Sequence, residues 1–265
     1  MTLSITLGPR LQTVAAFVPE GSKLGDIGTD HAYLPIVLYE TQRITRAVAI
    51  DVHEGPYQSA LLAVKGRRLE DIIDVRLGDG LMPLTSGEVN VLTLAGMGGR
   101  TMLDILAGRP EVMNSITDLI VQPQGAEGAV RMTLLKDGWR LKAECLVQEE
   151  DRLYVVMAYS REMGWDEAEL LKKEEEWSKR LKSLQEKGIV PAADFSNLVH
   201  KLVWHFGPLI LENRTDLLNS CLSDYKIMLV RRLEQMKRSK SIEVEAKIQE
   251  ICAEVALLEG MHTWQ

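Results

Sequence analysis

Five stretches of this sequence set small and acidic residues directly behind short apolar runs. They are Asp26-Ile27-Gly28-Thr29-Asp30-His31-Ala32-Tyr33, Asp51-Val52, Gly78-Asp79-Gly80, Ala95-Gly96-Met97-Gly98-Gly99 and Gln122-Pro123-Gln124. Small residues let a backbone turn tightly and approach a ligand at a helix N-terminus. A dinucleotide-binding loop needs a cluster of three glycines to cradle pyrophosphate. Here Gly28 is followed at alternate positions by Asp30 and Ala32. A carboxylate at position 30 repels phosphate, so the loop suits a ligand that lacks phosphate and carries a cationic end. Asp51 stands 23 residues after Gly28, near the spacing of the acidic residue that holds ribose hydroxyls. Asp79, between two glycines, is placed to accept from an adenine amino group.

A nucleoside joined to a sulfonium and an amino acid meets these demands, so S-adenosylmethionine is the expected cofactor and NAD fits poorly. The candidate contacts are Asp26, Gly28, Asp30, His31, Asp51, Val52, Asp79, Gly80, Gly96, Met97 and Gly98. Any one Asp-Gly pair behind a strand is ordinarily just a turn. The argument lies in their order, because all fall at carboxyl ends of expected parallel strands, where open α/β sheets bind ligands.

The elements that must carry these loops are short runs rich in Val, Ile and Leu: 23–27, 46–51, 74–77, 89–95 and 118–122. They are apolar on both faces, as in a buried parallel sheet. Segments of helical length, 33–43, 56–70, 99–106 and 125–137, alternate with them. That alternation implies right-handed βαβ units. Two last runs, 139–147 and 152–159, flank the acidic Gln148-Glu149-Glu150-Asp151 and read as a closing hairpin with one antiparallel strand. The expected fold is α/β, with a Rossmann-like, mostly parallel seven-stranded sheet over residues 1–160. Beyond that the pattern changes. Trp177, Leu181 and Leu184, and again Val244, Ile248, Ile251, Val255 and Leu258, recur at coiled-coil spacings. Residues 161–265 are expected to form an antiparallel, coiled-coil-like helical domain, with 195–210 as a packed turn between its arms.

The net charge of −7 speaks against a nucleic-acid partner unless the basic residues are local. They are local between 226 and 240, where Lys226, Arg231, Arg232, Lys237, Arg238 and Lys240 face a single Glu234. A solvated helix face and a phosphate-gripping face both stand open there. No run of about 18 apolar residues is present for a membrane span, and the first ten residues do not read as a secretory signal. Cys145, Cys221 and Cys252 are far apart and no histidine lies at ligand spacing from them. The expectation is reduced thiols in the cytoplasm, no metal, and a monomer.

Together, DIGTDHAYLP at 26–35, AIDVHEGP at 49–56, GDGL at 78–81, AGMGG at 95–99 and QPQ at 122–124 resemble the bacterial tRNA (adenine(22)-N1)-methyltransferase family. Phe206-Gly207-Pro208 before a long charged helix adds to the resemblance, which spans nearly the whole chain. It implies a class I methyltransferase domain followed by a coiled-coil-like domain, with tRNA as substrate. Adenine N1 is already nucleophilic through its in-plane lone pair, so alignment rather than a general base is the demand. The product base is cationic, and Asp30 is the candidate carboxylate to stabilise it. An N-cap role for Asp30 on the following helix stays open. His31 either packs on the cofactor or holds the loop. Tyr33 either stacks on the target base or belongs to its helix's core face. Arg10, Arg231, Arg232, Lys237 and Arg238 are candidate phosphate contacts. A small-molecule methyltransferase and a non-catalytic RNA-binding module remain as alternatives.

Overall fold

The computed structural model describes residues 5–237 and 242–263, with only the backbone for 242–244. Arg238 and Lys240 lie outside the described residues. By internal contacts the chain divides into two compact units, Met1–Asp166 and Glu167–Gln265.

The first unit is built on β1 (Ser22–Ile27), β2 (Ile44–Asp51), β3 (Ile73–Leu77), β4 (Val91–Met97), β5 (Asp118–Pro123), β6 (Arg140–Glu149) and β7 (Arg152–Ser160). These form one seven-stranded sheet in the order β3-β2-β1-β4-β5-β7-β6. The first five strands are parallel, and β7 runs antiparallel to both β5 and β6. Val48, Ala49, Ile50, Leu92, Leu94, Leu119 and Val121 are all buried, as strands covered on both faces must be. Chain order reverses where β1 lies between β2 and β4. At such a point the connections leave in opposite directions and open a crevice beyond the strand ends.

Helices α1 (Pro9–Phe17), α2 (Tyr33–Glu40), α3 (Glu54–Gly66), α4 (Gly99–Ala107), α5 (Pro110–Met113) and α6 (Glu127–Lys136) complete this unit. The sequence reading did not assign α1 or α5. Gly8 is the N-cap of α1 and Pro9 opens the helix, where its fixed φ and missing N–H cost nothing. The unit continues past β7. Trp165 pairs with Leu141 through two backbone hydrogen bonds of 2.9 and 3.0 Å, within the compact unit that runs to Asp166.

The second unit contains, among the described residues, α7 (Glu167–Glu186), α8 (Ala192–Phe206), α9 (Asp216–Met236) and α10 (Ile242–Thr263). The segment 195–210, expected as a turn, is mostly the helix α8. Its Leu198, Val199, Leu202, Val203 and Phe206 are buried at the spacings of one helix face. Gly207 (φ +107°) stops the helix and Pro208 follows, the usual punctuation of a C-terminus. On α9 the buried Leu218, Leu222, Leu229 and Leu233 form a heptad-like seam, and the Thr215 hydroxyl caps that helix by accepting from Leu218 N at 3.1 Å. No helix of the described residues is long and apolar enough to cross a membrane.

Candidate active site

The crevice beyond β1, β2 and β4 is shaped by backbone conformations that side chains resist. Gly28 has φ +75°, and a Cβ there would lie 2.9 Å from Met97 Cε. Gly28 N and Thr29 N both donate to Ile50 O, at 2.9 and 3.0 Å, fastening the end of β1 to β2. The loop then passes through Asp30 and Ala32, two non-glycine residues at φ +54°. Such conformations cost about 1–3 kcal/mol each and persist where surrounding structure enforces them.

Asp51, at the end of β2, does that for Asp30, and Ala32 N donates to Thr29 O at 3.0 Å. Asp51 is nearly buried, at 7% exposure. Its Oδ2 accepts from Asp30 N at 3.1 Å and its Oδ1 from His53 N at 3.0 Å. Each carboxylate oxygen keeps a further lone pair for a ligand hydroxyl. Behind β3, Gly78 N donates to Asp51 O at 2.9 Å. Gly80 (φ +52°) packs so closely on α4 that a Cβ would meet Ile105 Cγ2 at 2.9 Å. The far side of this loop is clamped by Arg76. Its Nη1 donates to Pro83 O at 2.7 Å and its guanidinium grips Glu88 at 2.9 and 2.5 Å. The bond from Arg76 lowers the Glu88 carboxyl to about 2. At the end of β4 the ladder to β5 shifts register between Ala95 and Met97. Gly96 (φ +82°) bulges out there, and its N donates to Gln122 Oε1 at 3.1 Å.

These loops enclose a cavity of about 390 Å³, a size normal for a cofactor site. Gly28, Asp51, Val52, Asp79, Gly80, Gly96 and Met97 line it as expected. Its remaining lining, which the sequence reading did not select, is Ile27, Ile50, His53, Gly78, Ala95, Thr101 and Ile105. Thr101 and Ile105 stand one turn apart on α4, directly after Ala95–Gly99, and that spacing was the available signal. Asp51 and Asp79 are the charged lining side chains, and neither lysine nor arginine is among them. A pyrophosphate would be left without a countercharge, whereas a sulfonium and an ammonium find carboxylates.

A family model described as a methyltransferase domain matches residues 7–157. The curated tRNA (adenine(22)-N(1))-methyltransferase of Bacillus subtilis is 35% identical over 165 residues, 61% of this chain and 69% of that protein. The chain belongs to this methyltransferase family. The crystal structure of the B. subtilis M1A22 tRNA methyltransferase TrmK superposes with a TM-score of 0.74 at 27% identity, covering 97% of this chain and 99% of that one. Streptococcus pneumoniae Sp1610, crystallised in complex with S-adenosyl-L-methionine, superposes with a TM-score of 0.69 at 30% identity, covering 93% and 98%.

Within this methyltransferase fold several expected contacts take other places. Asp26 is buried beneath the crevice and does not line it. Its Oδ2 accepts from Thr29 Oγ1 and its Oδ1 from Thr93 Oγ1, both at 2.6 Å. Burial raises its carboxyl above the ordinary value, against the pull of the two threonine bonds. Asp26 therefore braces the loop from inside. Gly98 is the N-cap of α4, outside the cavity lining. Asp30, His31 and Tyr33 also lie outside that lining and are exposed. Asp30 Oδ2 sits 2.9 Å from His31 Nδ1, and the His31 and Tyr33 rings are 5.1 Å apart and tilted by 36°. Asp30 does not cap α2. Ala32 occupies the N-cap, with no side-chain cap bond.

Arg10 departs furthest from its expected phosphate contact. Its Nε donates to Glu149 Oε2 at 3.2 Å and its Nη1 to Gln122 Oε1 at 2.8 Å, which draws the guanidinium into the protein fabric. In the second unit Arg231, Arg232 and Lys237 are exposed, while Lys226 pairs with Glu259 at 2.6 Å. No cluster of three or more metal-ligating side chains is found among the described residues.

Proposed function

We propose that this chain transfers the methyl group of S-adenosylmethionine to N1 of adenine 22 in tRNA. The observation that carries the reading is the cavity at the sheet's reversal point, charged only by Asp51 and Asp79. Asp51 would hold the ribose hydroxyls and Asp79 the adenine amino group, while Gly28, Gly80 and Gly96 keep the walls bare of side chains. The cofactor supplies an electrophilic methyl on a positively charged sulfur. The N1 lone pair forms the new C–N bond as the C–S pair returns to sulfur, so no proton needs removal. The protein's task is alignment, and positive charge moves from sulfur to the base. Asp30, exposed beside His31 and Tyr33, is the carboxylate proposed to meet that charge. Its left-handed backbone, held by Asp51 and without a capping duty, supports this role, because such conformations concentrate at functional positions. Tyr33, 42% exposed, is proposed to stack on the target base once the nucleotide is extruded.

In the second unit, Arg231, Arg232 and Lys237 are proposed to contact tRNA phosphates. The proposed working unit is a monomer, acting in the cytoplasm. The test is transfer of isotope-labelled methyl to unmodified tRNA, followed by nuclease digestion and mass spectrometry. The expected product is 1-methyladenosine at position 22. Label on N6, or none on tRNA, would sink the proposal. Asp30→Ala is expected to lose most turnover, and near-normal turnover removes Asp30 from the mechanism.

A further inference from the structure

The bulged loop at the end of β4 forms one wall of the cavity, and a chain of polar contacts from distant parts of the first unit holds it. Gln122 is fully buried at the end of β5. One atom, its Oε1, accepts from Gly96 N at 3.1 Å and from Arg10 Nη1 at 2.8 Å. Its Nε2 donates to Pro123 O at 2.9 Å, which fixes which way the amide faces. Arg10 in turn is held at both ends of its residue by Glu149, on the edge strand β6. Arg10 N donates to Glu149 Oε1 at 3.3 Å and Arg10 Nε to Oε2 at 3.2 Å. Gly8, two residues before Arg10, leaves room for that carboxylate, since a Cβ there would clash with Glu149 Oε1. A Cβ on Gly96 would stand 3.5 Å from Arg10 Nη1, so the guanidinium lies against the bulge itself. Tyr154 offers its ring 5.5 Å from Arg10 Cζ. Along this path both Glu149 oxygens, Arg10 N, Nε and Nη1 and Gln122 Oε1 are engaged, and hydrogen bonds linked in series through the fully buried Gln122 amide reinforce one another in a single geometry.

We infer that Glu149, Arg10 and Gln122 are positioning residues for methyl transfer: they fix Gly96 and Met97 so that the cofactor's methyl faces the target base. None of the three lines the cavity; they act through Gly96. This inference rests on the methyl-transfer reading above. Its signature is a fall in kcat with little change in tRNA KM, because the network touches the alignment of the reacting atoms and not the RNA grip.

The test uses the full-length chain with tRNA as methyl acceptor. Gln122→Met keeps the volume and removes the shared acceptor, and Arg10→Ala removes the strut. Each is expected to lower kcat by about 10- to 100-fold, the scale of an alignment error of about 1 Å, with KM for tRNA within about twofold of the parent. Thermal melts accompany every variant. Should Gln122→Met or Arg10→Ala melt lower but turn over at the parental rate, the network is only structural and the inference falls. A parent enzyme that fails to methylate tRNA overturns the underlying reading instead, so the two failures are distinguishable.

Discussion

Replacing Asp51 with asparagine tests the ribose-binding assignment most directly. The substitution keeps shape and burial but leaves one oxygen where there were two. In the native protein both oxygens already accept backbone N–H groups, Asp30 N at 3.1 Å and His53 N at 3.0 Å. An asparagine must turn its amide nitrogen toward one of them, setting donor against donor. That costs the unliganded fold about 1–3 kcal/mol for an unsatisfied buried group. The ligand separately loses one hydroxyl bond to a charged acceptor, about 1.5–3 kcal/mol, or an affinity about 10- to 150-fold weaker. Calorimetric titration measures the second quantity and thermal melts without ligand the first. S-adenosylmethionine and S-adenosylhomocysteine share the ribose and differ in the sulfonium charge, so both should weaken by the same factor. If both bind Asp51→Asn within about threefold of the parent, Asp51 does not hold the ribose. If only the sulfonium ligand weakens, Asp51 acts on charge instead.

Gly80→Ala must hold a Cβ at φ +52° against Ile105, whose β-branched side chain is stiff in a helix. The expected result is a lower melting temperature and about tenfold weaker cofactor binding, checked by the same two methods. Asp26→Asn probes the raised carboxyl. The folded state favours the protonated form, so that contribution is present at low pH and is lost as pH rises through the raised folded value. The variant should therefore gain in melting temperature relative to the parent as pH rises above the ordinary carboxyl value of 3.8, and a constant difference would contradict this. Glu88 has the opposite sign. Its stabilisation is present above the ordinary value of 4.5 and is lost as pH falls toward about 2, so Glu88→Gln should flatten the acid limb of the stability profile. Arg231→Ala combined with Arg232→Ala should weaken tRNA binding and reduce the slope of log K against log salt by about 1–2, with cofactor affinity unchanged. An unaltered slope takes these two arginines out of the interface.

The cavity walls were legible in sequence because each is local. A glycine or carboxylate directly after an apolar run keeps its place whatever surrounds it, and Gly28, Asp51, Asp79, Gly80, Gly96 and Met97 all fell where the pattern put them. Positions decided by long-range pairing were not legible. Asp26 reads as a cofactor contact at the end of its strand, but strand pairing sets it beside Thr93, 67 positions away, and turns it inward. Arg10 reads as a free cation near the N-terminus, yet its partner Glu149 is 139 positions distant on a strand whose neighbourhood depends on sheet order. Helix α8 was missed for another reason. Its aromatic and Gly-Pro end resembles a turn, and the apolar face that makes it a helix is evident only once α7 and α10 are there to cover it.

All fourteen cavity-lining residues belong to the unit that ends at Asp166. On the proposed assignment, methyl-donor affinity and inhibition by the spent donor would both be carried by that one module, and changes confined to the helices after Asp166 are expected to leave them unaltered.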